Sequence, residues 1–93
     1  MKHKLVFLPK TIEDRTAIKV YLSQFYPGTA KKFFAMLRKK VARLRDFPLS
    51  CPICEDNPKY RKLVVGDYLV FYTVNEDAKL VEVHRILHGS RNI

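Results

Sequence analysis

The chain has 93 residues, 47% of them hydrophobic, enough for one core that buries roughly two-thirds of the unfolded surface and too few for a second, so residues 1–93 are expected to form a single domain. Its apolar runs fall far short of the ~20 residues of a membrane span and no uncharged N-terminal run resembles a signal peptide, so a cytoplasmic protein without membrane contact is expected. Eighteen Lys and Arg against nine Asp and Glu give a net charge of +9, a field that favours an anionic partner and predicts salt-sensitive binding.

Leu5-Val6-Phe7-Leu8 is a short apolar run closed by Pro9, too brief for a helix, and is expected to form a strand. Thr11 is expected to open a helix, its hydroxyl capping free N–H groups of the first turn. Glu13 and Asp14 stand where the helix dipole favours negative charge, and Ile18, Tyr21, Leu22 and Phe25 recur at helical spacing. Pro27-Gly28 ends that helix. Thr29 can cap a second one running to about Phe47, with Phe33, Leu37, Val41 and Leu44 on one stripe and Pro48 beyond its end. The connection is so short that the two helices should form an antiparallel hairpin. The segment between Pro48 and Pro58 lacks periodicity and reads as a loop.

From Tyr60 onward β-branched and aromatic residues predominate, in the runs Arg61 to Val65, Tyr68 to Val74 and Lys79 to Leu87. Gly66-Asp67 and Asn75-Glu76-Asp77-Ala78 separate them, as in an antiparallel meander. The middle run is apolar at both parities, which suits a central strand covered at least in part on both faces. The order β-α-α-β-β-β implies an α+β fold, with the helical hairpin packed on one face of a small, mainly antiparallel sheet and the opposite face partly free.

Three groups of residues can carry chemistry. The second helix bears Lys31, Lys32, Arg38, Lys39, Lys40, Arg43 and Arg45, a cationic face that can hold phosphates or an acidic partner, or simply stand in solvent opposite the apolar stripe. Cys51-Pro-Ile-Cys54 has the spacing used for zinc and for thiol redox chemistry. A closed zinc site needs four ligands, and the other candidates, His84 and His88, would stand about 13 Å apart on an extended strand, so neither metal nor cofactor is expected. A redox dithiol normally opens a helix in a thioredoxin-like βαβ pattern, which this sequence lacks. The two thiols are therefore expected to be structural or incidental, with a reversible disulfide as the alternative.

The third group, His84, Arg85, His88 and Arg91, lies near the C-terminal end, joined across the sheet by Lys59, Arg61 and Lys62. Cleaving RNA through its own 2′-hydroxyl needs no protein nucleophile, only a base, an acid and cations to stabilise charge on phosphorus. Under strict strand alternation His84 and His88 share a face with Glu82 and Ile86. Arg85 then points to the other face with Val81, Val83 and Leu87, as a structural residue paired near the edge of the core. The candidate catalytic set is His88 with Arg91 and Lys62. Lys32, Arg38, Lys39, Arg61 and Arg85 form the candidate surface for a target or protein partner.

Tyr60 to Ile93, with its G-x-Y-x-x-x-Y hairpin core and its terminal R-I-L-H-x-x-R segment, resembles the C-terminal half of toxins of the RelE/ParE superfamily; the preceding strand and helical hairpin match by pattern. The resemblance implies a growth-inhibiting toxin of a type II toxin-antitoxin module, of the kind associated with plasmid stabilization. A cognate antitoxin would neutralise it by wrapping an extended or helical segment over the basic surface. RelE-like members enter the ribosomal A site and cut mRNA, whereas ParE-like members poison DNA gyrase. In the ribonuclease branch an arginine directly follows the tyrosine of the middle strand and assists at the scissile phosphate. Here that position is Leu69, which can neither donate a hydrogen bond nor neutralise phosphate. The expectation leans to ParE-like inhibition of gyrase, with a ribosome-dependent mRNA endonuclease as the alternative, and whether the chain is an enzyme stays open.

Overall fold

The structure, a computed structural model, describes residues 2–89. Its elements are β1 (Lys4–Phe7), α1 (Pro9–Leu22), α2 (Thr29–Ala42), a 3₁₀ turn (Arg43–Arg45), β2 (Arg61–Val65), β3 (Tyr68–Asn75) and β4 (Leu80–His88). They build the expected α+β fold, one four-stranded sheet in the order β1-β4-β3-β2 with both helices packed on the same face. β2, β3 and β4 form the antiparallel meander, and β1 joins β4 in parallel, Leu5 opposite Val81 and Phe7 opposite Val83. The helical hairpin thus carries the chain from one edge of the sheet to the other.

Local chemistry moves the helix ends from where the sequence put them. α1 starts at Pro9 rather than Thr11, because proline fits the first helical position, where its missing N–H would have no intrahelical acceptor. The Thr11 hydroxyl donates back to the Leu8 carbonyl at 2.6 Å instead of capping N–H groups, and Glu13 and Asp14 fall beyond the first turn. α2 takes Gly28, not Thr29, as its N-cap, at a left-handed φ of 87°. Among the described residues nothing lies within 4 Å of where a β-carbon would stand, so Gly28→Ala should be destabilising by the backbone penalty alone, about 1 kcal/mol. The urea midpoint would fall with its slope unchanged. α2 also ends at Ala42 and tightens into the 3₁₀ turn rather than running on to Phe47, a common way of closing a last turn.

That tightening still delivers Leu44 to the core. The stripe Phe33, Leu37, Val41 and Leu44 is buried against Val65, Val70, Tyr72, Val81, Val83 and Ile86 of the sheet. The Tyr72 hydroxyl, taken out of water, donates to the Pro48 carbonyl at 2.9 Å and so fixes the start of the loop after the 3₁₀ turn. α1 contributes less apolar burial. Ile18 is buried and Leu22 half-buried, while Tyr21 stands exposed in an edge-to-face pair with Phe25, which lies beyond the helix because α1 ends at Leu22 rather than at Pro27-Gly28. Its hold on the sheet is ionic instead, through Asp14 to Arg85.

Strict alternation along β4 does not hold. Phe71 pairs with Arg85 but Tyr72 pairs with Val83, so one residue of β4 is looped out as a β-bulge. An extra residue inverts the parity of everything after it. Ile86 therefore joins Val81 and Val83 in the main core, whereas Leu87 lands on the far face with Phe71. His84 and His88 consequently fall on opposite faces, correcting the expectation that they share one.

Candidate functional site

The far face of the sheet is covered at its centre. Residues 52–54 run beside β2: the Lys62 N–H donates to the Pro52 carbonyl at 3.1 Å, Ile53 bridges Arg61, and the Cys54 N–H donates to the Tyr60 carbonyl at 2.8 Å. Cys54 packs on Phe71 and Leu87, with Tyr60 and Leu69 around them. Lys62 lies opposite Phe71 at the margin of this apolar patch, beside a cleft of about 330 Å³ that Cys54, Glu55 and Asp56 also line. At the other margin the His84 Nε2 is 2.9 Å from the Thr73 hydroxyl and its ring meets Tyr60 edge-on.

Burial lowers the His84 pKa from the ordinary 6.5, outweighing the pull of Glu82, and Lys59 pushes it the same way. As pH falls through 6.5 the unfolded chain therefore takes a proton on this imidazole before the folded chain does. Stability should drop over that interval until the folded value is passed. A urea midpoint measured from about pH 7 to about pH 5 should decline in the parent and be flatter in His84→Gln, which keeps a donor for Thr73. Equal slopes would remove His84 as the cause.

The other sequence-derived candidates are dispersed. His88 is exposed on the helix side, its ring 5.5 Å from that of Tyr68, whereas Lys62 is on the far face; Arg91 lies outside the described residues. His88 and Lys62 are thus not brought together. Arg61 turns to the loop, its Nη1 donating to the Cys51 carbonyl at 2.6 Å. Arg85 makes a two-pronged contact with Asp14, Nε to Oδ2 at 2.8 Å and Nη2 to Oδ1 at 2.9 Å. The same Asp14 oxygen accepts the Ile86 N–H at 3.0 Å. Burial alone would raise the Asp14 pKa, but the bonds from Arg85 and Ile86 hold it below the usual 3.8. Lys32, Arg38 and Lys39 are exposed on α2.

Further hollows lie elsewhere, along the helices and the β1 edge. Three hollows of about 280, 390 and 460 Å³ run together, sharing Phe34, with Arg15 and Lys19 at the junctions. Leu5, Phe7, Leu37 and Val41 floor the first, and Arg15, Lys19, Lys31, Arg38 and Arg45 stand along the three with no carboxylate among the described residues that line them. Arg15 lies over both Phe7 and Phe34, 5.5 and 5.9 Å from the ring centres, an arrangement that keeps a cation fixed on an aromatic surface. β1 is an edge strand. The N–H groups of Lys4 and Leu8 face β4, so by alternation the backbone groups of Leu5 and Phe7 face outward.

Of the residues along this groove the sequence singled out Lys31, Arg38 and Arg45, as part of the cationic face of the second helix, but not Arg15, Lys19 or Phe34. One signal was available: Phe34 and Arg38 are four residues apart on α2 and hence neighbours, one column away from the core stripe.

With this geometry in hand the relatives are informative. The fold is similar to that of the chromosomal ParDE TA system from P. aeruginosa, at 20% identity and a TM-score of 0.77, over 94% of this chain and 96% of that one. It is also similar to the toxin-antitoxin complex RelBE2 from Mycobacterium tuberculosis, at 17% identity and a TM-score of 0.64, covering 95% and 99%. A mutant of E. coli toxin RelE in the free state aligns at 15% identity and a TM-score of 0.63, covering 95% and 84%. No curated protein sequence matches the chain. A family model does match, over residues 5–93, and it agrees with the fold: the chain belongs to the ParE toxins of the type II toxin-antitoxin system, parDE.

Proposed function

We propose that the protein arrests growth by binding its target rather than by cutting nucleic acid, with DNA gyrase as that target in the ParE-like manner. The observation that carries this reading is the far face of the sheet. Leu69, Phe71 and Leu87 lie there in an apolar cluster with Cys54 and Tyr60, where RNA cleavage would need a base, an acid and cations around one phosphate. The candidate imidazole His88 and the candidate cation Lys62 are separated by the sheet itself and by about 10 Å along the strand.

The test is induction of the protein in a host without its antitoxin, followed by mapping of new mRNA 5′ ends and by a supercoiling assay with purified gyrase. Growth arrest without new ends, and loss of supercoiling, are expected. His88→Ala and Lys62→Ala should arrest growth as the parent does, since neither opens a core cavity and each should change stability by only about 0.5 kcal/mol. Cuts confined to translated frames, abolished by either substitution, would establish the mRNA endonuclease instead.

The groove of α1, α2 and β1 supports an antitoxin partner of definite chemistry. Cations without a facing carboxylate call for an acidic segment, the apolar floor calls for aliphatic or aromatic anchors, and the outward groups of Leu5 and Phe7 can pair with an extended backbone. Lys32 and Lys39, exposed on α2, strengthen the attraction at longer range.

A further inference from the structure

The Cys51-Pro-Ile-Cys54 segment has no part in the groove and none in target binding as proposed above. Both cysteines are free thiols, and the fold separates them. Cys51 packs against the main core on the helix side of the sheet, while Cys54 is buried in the cluster on the far side. Between them the chain lies along the β2 edge through the Lys62–Pro52 and Cys54–Tyr60 backbone bonds and the Ile53–Arg61 bridge, and the Arg61 side chain clamps the Cys51 carbonyl.

In an extended segment residues three apart point to opposite faces and their α-carbons stand about 10 Å apart. A disulfide needs α-carbons within about 7 Å and β-carbons facing one another. A strap held extended on β2, with its two thiols in clusters on opposite sides of the sheet, is expected to meet neither condition, although the i, i+3 spacing meets both once the segment curls into a turn.

We propose that Cys51 and Cys54 form a redox site in which the disulfide and the docked strap exclude one another, so that a disulfide oxidant releases the strap from β2 and uncovers the apolar far face. In the balanced reaction the half-exposed Cys51, as thiolate, attacks one sulfur of a small-molecule disulfide and displaces its first thiolate, leaving a mixed disulfide. Cys54, freed as the strap lifts, attacks the Cys51 sulfur and displaces the second thiolate. The protein loses two electrons and two protons, and the oxidant leaves as two thiols. While docked, Cys54 is inert because burial pushes its thiol up, against the opposing pull of Lys62. Release withdraws Cys54 from its cluster with Phe71 and Leu87, baring apolar surface beside Lys62 that the reduced protein keeps covered.

The test uses the full chain, oxidised glutathione as the oxidant, and amide hydrogen exchange as the readout. The expected product has lost two hydrogens by mass. Its Cys54 and Lys62 amides lose protection by about tenfold or more, the β3 and β4 amides keep theirs, and a dithiol reductant reverses both changes. Cys51→Ser under the same oxidant should keep protection at Cys54 and Lys62. Three outcomes would overturn the proposal: an intramolecular disulfide with protection intact, a chain that takes up only glutathione or stays reduced, or equal deprotection of Cys51→Ser.

Discussion

Asp14→Ala should be destabilising by about 2–4 kcal/mol and should lower the melting temperature by roughly 10–25 °C. The carboxylate is 9% exposed and joins α1 to β4 across 71 positions of sequence, accepting two bonds from Arg85 and one from the Ile86 amide. Truncation leaves a buried N–H without its acceptor, which costs about 1–3 kcal/mol. It also leaves a guanidinium without its counter-ion. Arg85 is 27% exposed, so water can rehydrate it in part, and the full penalty of a broken buried pair is not expected. Arg85→Met should do less harm, because Asp14 keeps the Ile86 amide, and the double variant should show coupling of about 1–3 kcal/mol.

The pH dependence has a definite sign. The folded pKa of Asp14 lies below its ordinary 3.8, so the ion pair contributes stability that is present above that value and is lost as pH falls through the folded pKa. Asp14→Ala should lack this acid limb. Thermal and urea unfolding of parent and variants measure all of this, and an Asp14→Ala protein within about 0.5 kcal/mol of the parent would show that apolar packing alone holds α1.

Phe34→Ala should weaken binding of the cognate antitoxin by about thirtyfold or more, the loss typical of a central aromatic anchor. Phe34 is the residue common to all three hollows of the groove and the platform for Arg15, so its removal deletes apolar contact and loosens a cation at once. Arg38→Glu, on the rim, should act mainly by slowing association and by flattening the salt dependence. Titration calorimetry and stopped-flow binding separate the two effects. Phe34 is only packed against the periphery of the core, so the variant should remain folded and still arrest growth. Antitoxin affinity unchanged by both substitutions would move the partner off this groove.

The sequence alone determined the element order, the buried stripe of α2 and the central place of β3, because each rests on a local pattern: a helical repeat along α2, and apolar residues at both parities along β3. It also determined that Leu69, rather than a cation, stands after the tyrosine of β3. Where several residues had to be counted across a boundary, the local rules failed for physical reasons that the boundary itself supplied. Pro9 could serve as a first helical residue, so α1 began before Thr11. One looped-out residue in β4 reversed the faces of Ile86, Leu87 and His88, and nothing in a run of nine strand-forming residues announces where the bulge falls.

Only the tertiary structure decided which charges were partners and which were free to act. Asp14 looked suited to a helix dipole, and Arg85 either to a binding surface or to a structural pair near the edge of the core; the fold realises the pair and makes Asp14 its partner, joining α1 to β4. The groove is built from β1, α1 and α2 together. Arg15, Phe34 and Arg45 gain their meaning from the parallel seating of β1 beside β4, a pairing between opposite ends of the chain that no short-range pattern encodes. The two thiols of the C-x-x-C spacing are parted for the same reason, since the edge of β2 runs between them.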